Sequence, residues 1–246
     1  MTKFIAEIGL NHLGDVKRLN KMVKFLVANK VFGISVQILD EKYYDNSKSF
    51  RKKIAFSQYL KISKYLKKKG VKFGIATNNI HTLKKYKGIK VDFWKIISTK
   101  FFDTEILKYA LKVNKTVYLS CGIASLEDIY LKSKKYKKLN FIHTSFSDDF
   151  KNVNLSAINT IRKRINKNIS FGLHSDLNEL VISAISLEVD KIFFYVKFDD
   201  KKKYPDHKHA INLEQLKRKL LIWKKIIISI GDGKKKREKL PKWVFE

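Results

Sequence analysis

Eight short apolar runs alternate strictly with longer amphipathic ones, and no other feature of the chain constrains its fold as tightly. The runs are KFIAEIG (3–9), GISVQIL (33–39), VKFGIAT (71–77), DFWKIIS (92–98), TVYLSCG (116–122), LNFIHTS (139–145), ISFGLHS (169–175) and KIFFYVKF (191–198). Each is continuously apolar, the pattern of a strand buried on both faces in a parallel sheet. The segments between them predict helices over 16–29, 51–69, 79–87, 103–113, 125–137, 154–166, 177–189 and 212–229. Ser125-Leu-Glu-Asp128 has the form of a capping box, Asp103 and Asn154 suit N-caps, and Gly70 suits the position just past a helix end. Eight strand–helix units are the tally of an α/β (β/α)8 TIM barrel. The alternative, a doubly wound open sheet, lacks its G-x-G-x-x-G turn, because GLNHLG after the first run has the wrong spacing. With no linker and no repeat beyond the alternation, a single domain is expected over 1–230. A charged tail follows over 231–246, its end pinned by Trp243 and Phe245.

Composition narrows the class. The chain has 246 residues and is 44% hydrophobic, ordinary for a soluble globular protein. No run is long enough to span a bilayer, and the N-terminus carries no signal-peptide core. The single cysteine, Cys121, excludes an internal disulfide and fits a reducing, cytoplasmic setting. The net charge of +30 raises nucleic acid as a partner. Yet the lysines are spread over nearly every predicted helix, as in YLKKKG and LKSKKYKK, rather than gathered on one face. Salt-sensitive adhesion to polyanions is expected, specific nucleic-acid recognition and membrane association are not.

In a barrel of this kind, chemistry sits at the carboxyl ends of the strands. That rule selects Glu7, Asn11 and His12 from the first strand, Gln37 from the second, and Thr77 and Asn78 from the third. It selects Lys95 and Ser98 from the fourth, Ser120 from the fifth, and His143, Thr144 and Ser145 from the sixth. The seventh and eighth supply His174, Ser175, Asp176, Tyr195 and Lys197, with Asp206 and His207 in the loop beyond. Hydroxyls at strand ends ordinarily satisfy turns. Beside one lysine, Thr77, Ser98 and Ser120 also suit a phosphate or carboxylate. Lys95 either snorkels or serves a function, because an unpaired buried ammonium is costly. Glu7, a carboxylate in an apolar strand, needs donors or a functional reason.

These residues carry a resemblance. FIAEIGLNHLGD (4–15), WKIIS (94–98), YLSCGIAS (118–125), YPDHKH (204–209) and IGDGKK (230–235) occur in order along most of the chain. In that order they resemble the motifs of the N-acetylneuraminate (sialic acid) synthase family, over its barrel domain. The resemblance implies condensation of phosphoenolpyruvate with an acylamino sugar, as in nonulosonic acid biosynthesis. It implies phosphoenolpyruvate contacts at Thr77, Lys95, Ser98 and Ser120, with Ser145 a further hydroxyl for that group. Glu7 would stand at the reacting centre and Asp206 at a sugar hydroxyl, with Asn11 and Gln37 as further sugar contacts. Family members use Mn²⁺ or Mg²⁺ to polarise the sugar aldehyde.

Departures gather around that metal. Asp176 and Tyr195 stand where the family has its metal histidines, Ser35 where it has a lysine, and Lys100 where it has an acid. Asp176 and His174, with His143, are either a relocated metal set or three unrelated polar residues. The small antifreeze-like domain that follows the family's barrel has no expected counterpart here, so a homodimer or a partner polypeptide would supply it. Three functions stay open: a phosphoenolpyruvate-dependent synthase, a catalytically impaired descendant that binds a sugar acid or phosphate or acts as a scaffold, and a polyanion binder.

Overall fold

The apolar runs form β1 (Lys3–Gly9), β2 (Gly33–Gln37), β3 (Lys72–Thr77), β4 (Phe93–Ile96), β5 (Val117–Ser120), β6 (Leu139–His143), β7 (Ile169–Leu173) and β8 (Lys191–Lys197) in the computed structural model. The structure describes residues 1–40, 43–44, 53–147 and 149–234, so Trp243 and Phe245 lie outside the described residues. Each strand pairs in parallel with the next, and β8 pairs back onto β1 from Lys3↔Lys191 to Glu7↔Tyr195, closing the barrel. The intervening helices are α1 (Val16–Ala28), α2 (Phe56–Lys68), α3 (Ile80–Tyr86), α4 (Thr104–Val113), α5 (Leu126–Lys135), α6 (Ala157–Ile165), α7 (Leu180–Ser186) and α8 (Leu213–Ile230). The expected (β/α)8 TIM barrel is therefore the fold.

Alternation along the strands sorts the side chains. Outward residues such as Ile8, Ile34, Ile75, Ile96, Leu119 and Phe194 meet the helices, where α1 offers Leu19, Met22, Val23 and Leu26 at helical spacing. Burying each such side chain contributes about 1.5–3 kcal/mol. Inward residues Ile5, Phe93, Tyr118, Ile142 and Phe193 form a separate apolar layer inside the barrel. Its rings meet edge to face, Phe93 on Tyr118 at 5.5 Å and Tyr118 on Phe193 at 5.2 Å. Gly74 admits this layer, because a Cβ there would lie 2.1 Å from the Phe93 ring. The site thus rests on a dry aromatic floor.

The caps at Ser125 and Asp103 are as expected, and Gly70 is left-handed after α2. Asn154 is a correction: it caps no helix but ends a 3-10 turn in the left-handed region, and α6 begins at Ala157. Asparagine tolerates that conformation better than most residues, so its turn role prevails over its capping role. A two-residue strand the sequence did not announce, β9 (Ile211–Asn212), pairs in parallel with Val196 and Lys197. It fastens the loop 198–210 to the barrel edge. Arg18 of α1 fastens the same loop from its side, donating to the Tyr204 hydroxyl at 2.6 Å and to Asp200 at 3.0 Å. Tyr204 in turn donates to Asp200 at 2.6 Å.

Candidate active site at the barrel mouth

The register of β1 and β4 decides the centre of the mouth. Glu7 and Lys95 both point inward one step above the aromatic floor, and the Lys95 Nζ donates to Glu7 Oε2 at 2.6 Å. Both side chains are only 2% exposed. Ser35 of β2 donates to the other carboxylate oxygen at 3.2 Å. The ammonium lies 5.3 Å from the Phe193 ring centre and 5.7 Å from that of Tyr195, where the π faces favour its charge. An ion pair this dry gains little net stability over an apolar pair, so its presence at the mouth argues for a use.

The other expected residues distribute unequally around this pair. Ser120 shares the inward face one strand over, since Lys95 aligns with Tyr118. Ser98, buried, opens the turn after β4 and accepts from the Gly122 N–H at 3.0 Å. Thr77 aligns with Ile96 on the outward alternation, and its hydroxyl accepts from the Asn79 N–H at 3.2 Å, engaged in the turn. Ser145 accepts from the Ser147 N–H at 3.2 Å in the loop after β6. Gln37 and Asp206 line one cleft of about 680 Å³, together with Asn78, Lys100 and Pro205. Asn11 is fully buried and positions that cleft: its side chain donates to the Val196 carbonyl at 2.9 Å and accepts from the Asp206 N–H at 3.3 Å.

The imidazoles have separate lives. His12 is buried, accepts at Nδ1 from the Gly14 N–H at 2.9 Å, and is held by desolvation at a pKa of about 4. His143 shares an outward position with Phe141, stacks on Phe171, and bonds the Val153 carbonyl at 2.9 Å. It therefore does not join His174 and Asp176. Asp176 is exposed on the rim. His174 stacks on His209, with centroids 4.8 Å apart and planes 29° from parallel. Burial first, then Lys95 and His209, push its pKa well below the usual imidazole range. Burial, then Glu7 and Asp206, push the Tyr195 phenol well above its ordinary range. Among the described residues no group of three or more His, Cys, Asp or Glu side chains is arranged to hold a metal. Sequence reasoning missed His209, whose only signal was its spacing three residues after Asp206.

A (β/α)8 barrel with a buried lysine–carboxylate pair at its carboxyl mouth defines the class. Residues 19–235 match the model of the NeuB family, and the chain belongs to that family. It is 23% identical over 269 residues to the N,N'-diacetyllegionaminic acid synthase of Campylobacter jejuni, covering 97% of this chain and 80% of that protein. It is 24% identical over 241 residues to the N-acetylneuraminate-9-phosphate synthase of Drosophila melanogaster, covering 87% and 64%. In structure it is similar to the N-acetylneuraminic acid synthetase of Leptospira borgpetersenii, with a TM-score of 0.84 at 23% identity over 96% of this chain and 87% of that one.

Proposed function

We propose that this chain joins phosphoenolpyruvate to an acylamino sugar in its open-chain aldehyde form, yielding a nonulosonic acid and inorganic phosphate. Membership of the NeuB family supports this reading, and the buried Lys95–Glu7 pair carries it. Lys95 is a fixed cation on a water-excluding floor, the kind of group that holds a carboxylate or phosphate. Glu7 occupies that cation now, so an arriving anion exchanges with the carboxylate and frees it. The freed Glu7 then takes a proton from the water that adds at C2, while C3 bonds the aldehyde carbon and the C2–O bond to phosphate breaks. Ser98 and Ser120 are further donors for the anion, and Gln37 and Asp206 meet the sugar in the adjoining cleft. The lone thiol, Cys121, accords with a cytoplasmic setting.

Among the described residues, those gathered at the mouth do not fit Mn²⁺ or Mg²⁺. Glu7 is already neutralised by an ammonium, Tyr195 is held protonated, and the two stacked imidazoles show each other their faces rather than converging lone pairs. The same sealed pair supports a second reading, a family member that binds the anion without turning over. Calorimetry with phosphoenolpyruvate tests the anion site: Lys95→Ala abolishes binding, and unchanged affinity refutes the assignment. Phosphate release with N-acetylmannosamine present separates the two readings.

A further inference from the structure

Asp206 and His209 form a polar unit that the proposed roles of Lys95 and Glu7 leave unused. One helical turn in the loop 198–210 puts them on the same side, the N–H groups of His209 and Ala210 both donating to the Asp206 carbonyl at 3.3 and 2.9 Å. The His209 Nε2 stands 3.6 Å from Asp206 Oδ1, and the two side chains are 19% and 15% exposed. Two of their atoms are buried without a hydrogen-bond partner, Asp206 Oδ2 and His209 Nε2. Leaving such groups unsatisfied costs about 1–3 kcal/mol each, a cost that a bound substrate could relieve. Both adjoin Tyr195. A Cβ on Gly9 would lie 2.9 Å from Asp206 Oδ2 and 2.8 Å from the Tyr195 ring. The His209 ring packs on Tyr195 at 5.1 Å, and Tyr195 is the ring beside the Lys95 ammonium.

The pair also joins two depressions of the mouth. Asp206 lines the cleft with Gln37 and Asn78, and His209 lines a second one of about 610 Å³ with His174, Lys208 and Phe146. A carboxylate 3.6 Å from an imidazole nitrogen is placed to fix the ring's orientation.

We infer that His209, oriented by Asp206, is the general acid of the condensation, protonating the aldehyde oxygen as the carbon–carbon bond forms. The inference rests on the proposed reaction and deepens it. The C3 carbon of the enol supplies the electron pair of the new bond, and the aldehyde π electrons move to oxygen, which takes the His209 proton. The water that adds at C2 releases a proton to Glu7, restoring the balance once that proton returns to His209. Phosphate departs with the C2–O pair and the hydroxyl proton of the added water. His174 and Tyr195 hold the His209 ring in place as positioning residues.

The experiment measures phosphate release from phosphoenolpyruvate and N-acetylmannosamine in EDTA, beside calorimetric phosphoenolpyruvate binding. The wild-type chain is compared with His209→Gln, and with His209→Asn in buffered imidazole. Circular dichroism melts confirm that both variants fold, as a partly exposed loop residue allows. Loss of His209 lowers kcat on the order of 100-fold with phosphoenolpyruvate affinity unchanged, and imidazole restores part of the rate to His209→Asn. Undiminished turnover in His209→Gln, or failure of imidazole to rescue His209→Asn, overturns the inference alone; wild-type activity abolished by EDTA overturns it together with the metal-free reading of the mouth. A wild-type chain that binds phosphoenolpyruvate without releasing phosphate overturns the inference and the proposed condensation together, and leaves the anion site standing. One that binds none overturns the proposed function as well.

Discussion

Removing the Lys95 ammonium exposes what the ion pair does for the fold. Lys95→Met keeps an unbranched apolar stem, one atom shorter and without the ammonium, but leaves Glu7 buried, with Ser35 as its remaining hydrogen-bond partner. Breaking a buried pair from one side costs about 3–5 kcal/mol, because the stranded charge loses its compensation. For a chain of this size each kcal/mol is worth about 2–4 °C, so the melting temperature falls by about 6–20 °C. Glu7→Gln strands the ammonium in turn, a loss of the same order eased only by the amide oxygen, which still accepts from it. The double variant Glu7→Gln/Lys95→Met recovers most of the loss, because neither member of the pair is left as a stranded charge. Urea unfolding followed by circular dichroism at pH 8 gives the four stabilities of the cycle. Additive losses, or a Lys95→Met variant within about 1 kcal/mol of the parent, would refute the reasoning by showing that water reaches the pair.

Two further perturbations test the surroundings of the site. His12 has a pKa of about 4 folded against 6.5 unfolded, so its contribution is complete above pH 6.5 and is lost as pH falls toward 4. The unfolded chain binds the extra proton in that window, which amounts to about 3 kcal/mol. His12→Gln should flatten the acid limb of a pH–stability curve by that amount, and an unchanged slope would exclude His12 as its source. Gly9→Ala meets a left-handed φ of 56° and the Asp206 carboxylate at 2.9 Å, whereas Gly70→Ala meets a φ of 68° in open space. The second costs about 1–2 kcal/mol of backbone strain, and the first costs more and displaces Asp206. Equal melting temperatures for the two would show that the mouth is slack.

Much of this molecule is legible in its sequence because its signals are local. Strands buried on both faces read as unbroken apolar runs, so KFIAEIG maps onto β1 without a change of boundary. At the carboxyl ends the runs overshoot: DFWKIIS extends past Ile96, because Ser98 turns out of the sheet to accept a bond from Gly122. The roles of Glu7 and Lys95 as inward groups follow from position along the strand, but their pairing does not. It joins residues 88 apart in sequence and depends on the register of four strands. Thr77 shows the converse, a hydroxyl at the right height whose strand phase sends it toward the helices. The Arg18–Tyr204–Asp200 clasp and the Asp206–His209 pair were invisible for the same reason. They belong to a loop whose path is set by β9, and β9 is too short to leave a periodic trace.

The clasp between α1 and the loop 198–210 spans the seam where the first and last strands meet. Glu7, Gly9 and Asn11 reach the mouth from one edge of that seam, Tyr195, Asp206 and His209 from the other. A chain whose sheet is still open as a fan therefore has Lys95 and its neighbouring hydroxyls but neither the carboxylate's facing wall nor its roof. The candidate site is therefore complete only once the ring closes, so the integrity of this one joint decides whether its two halves face each other at all.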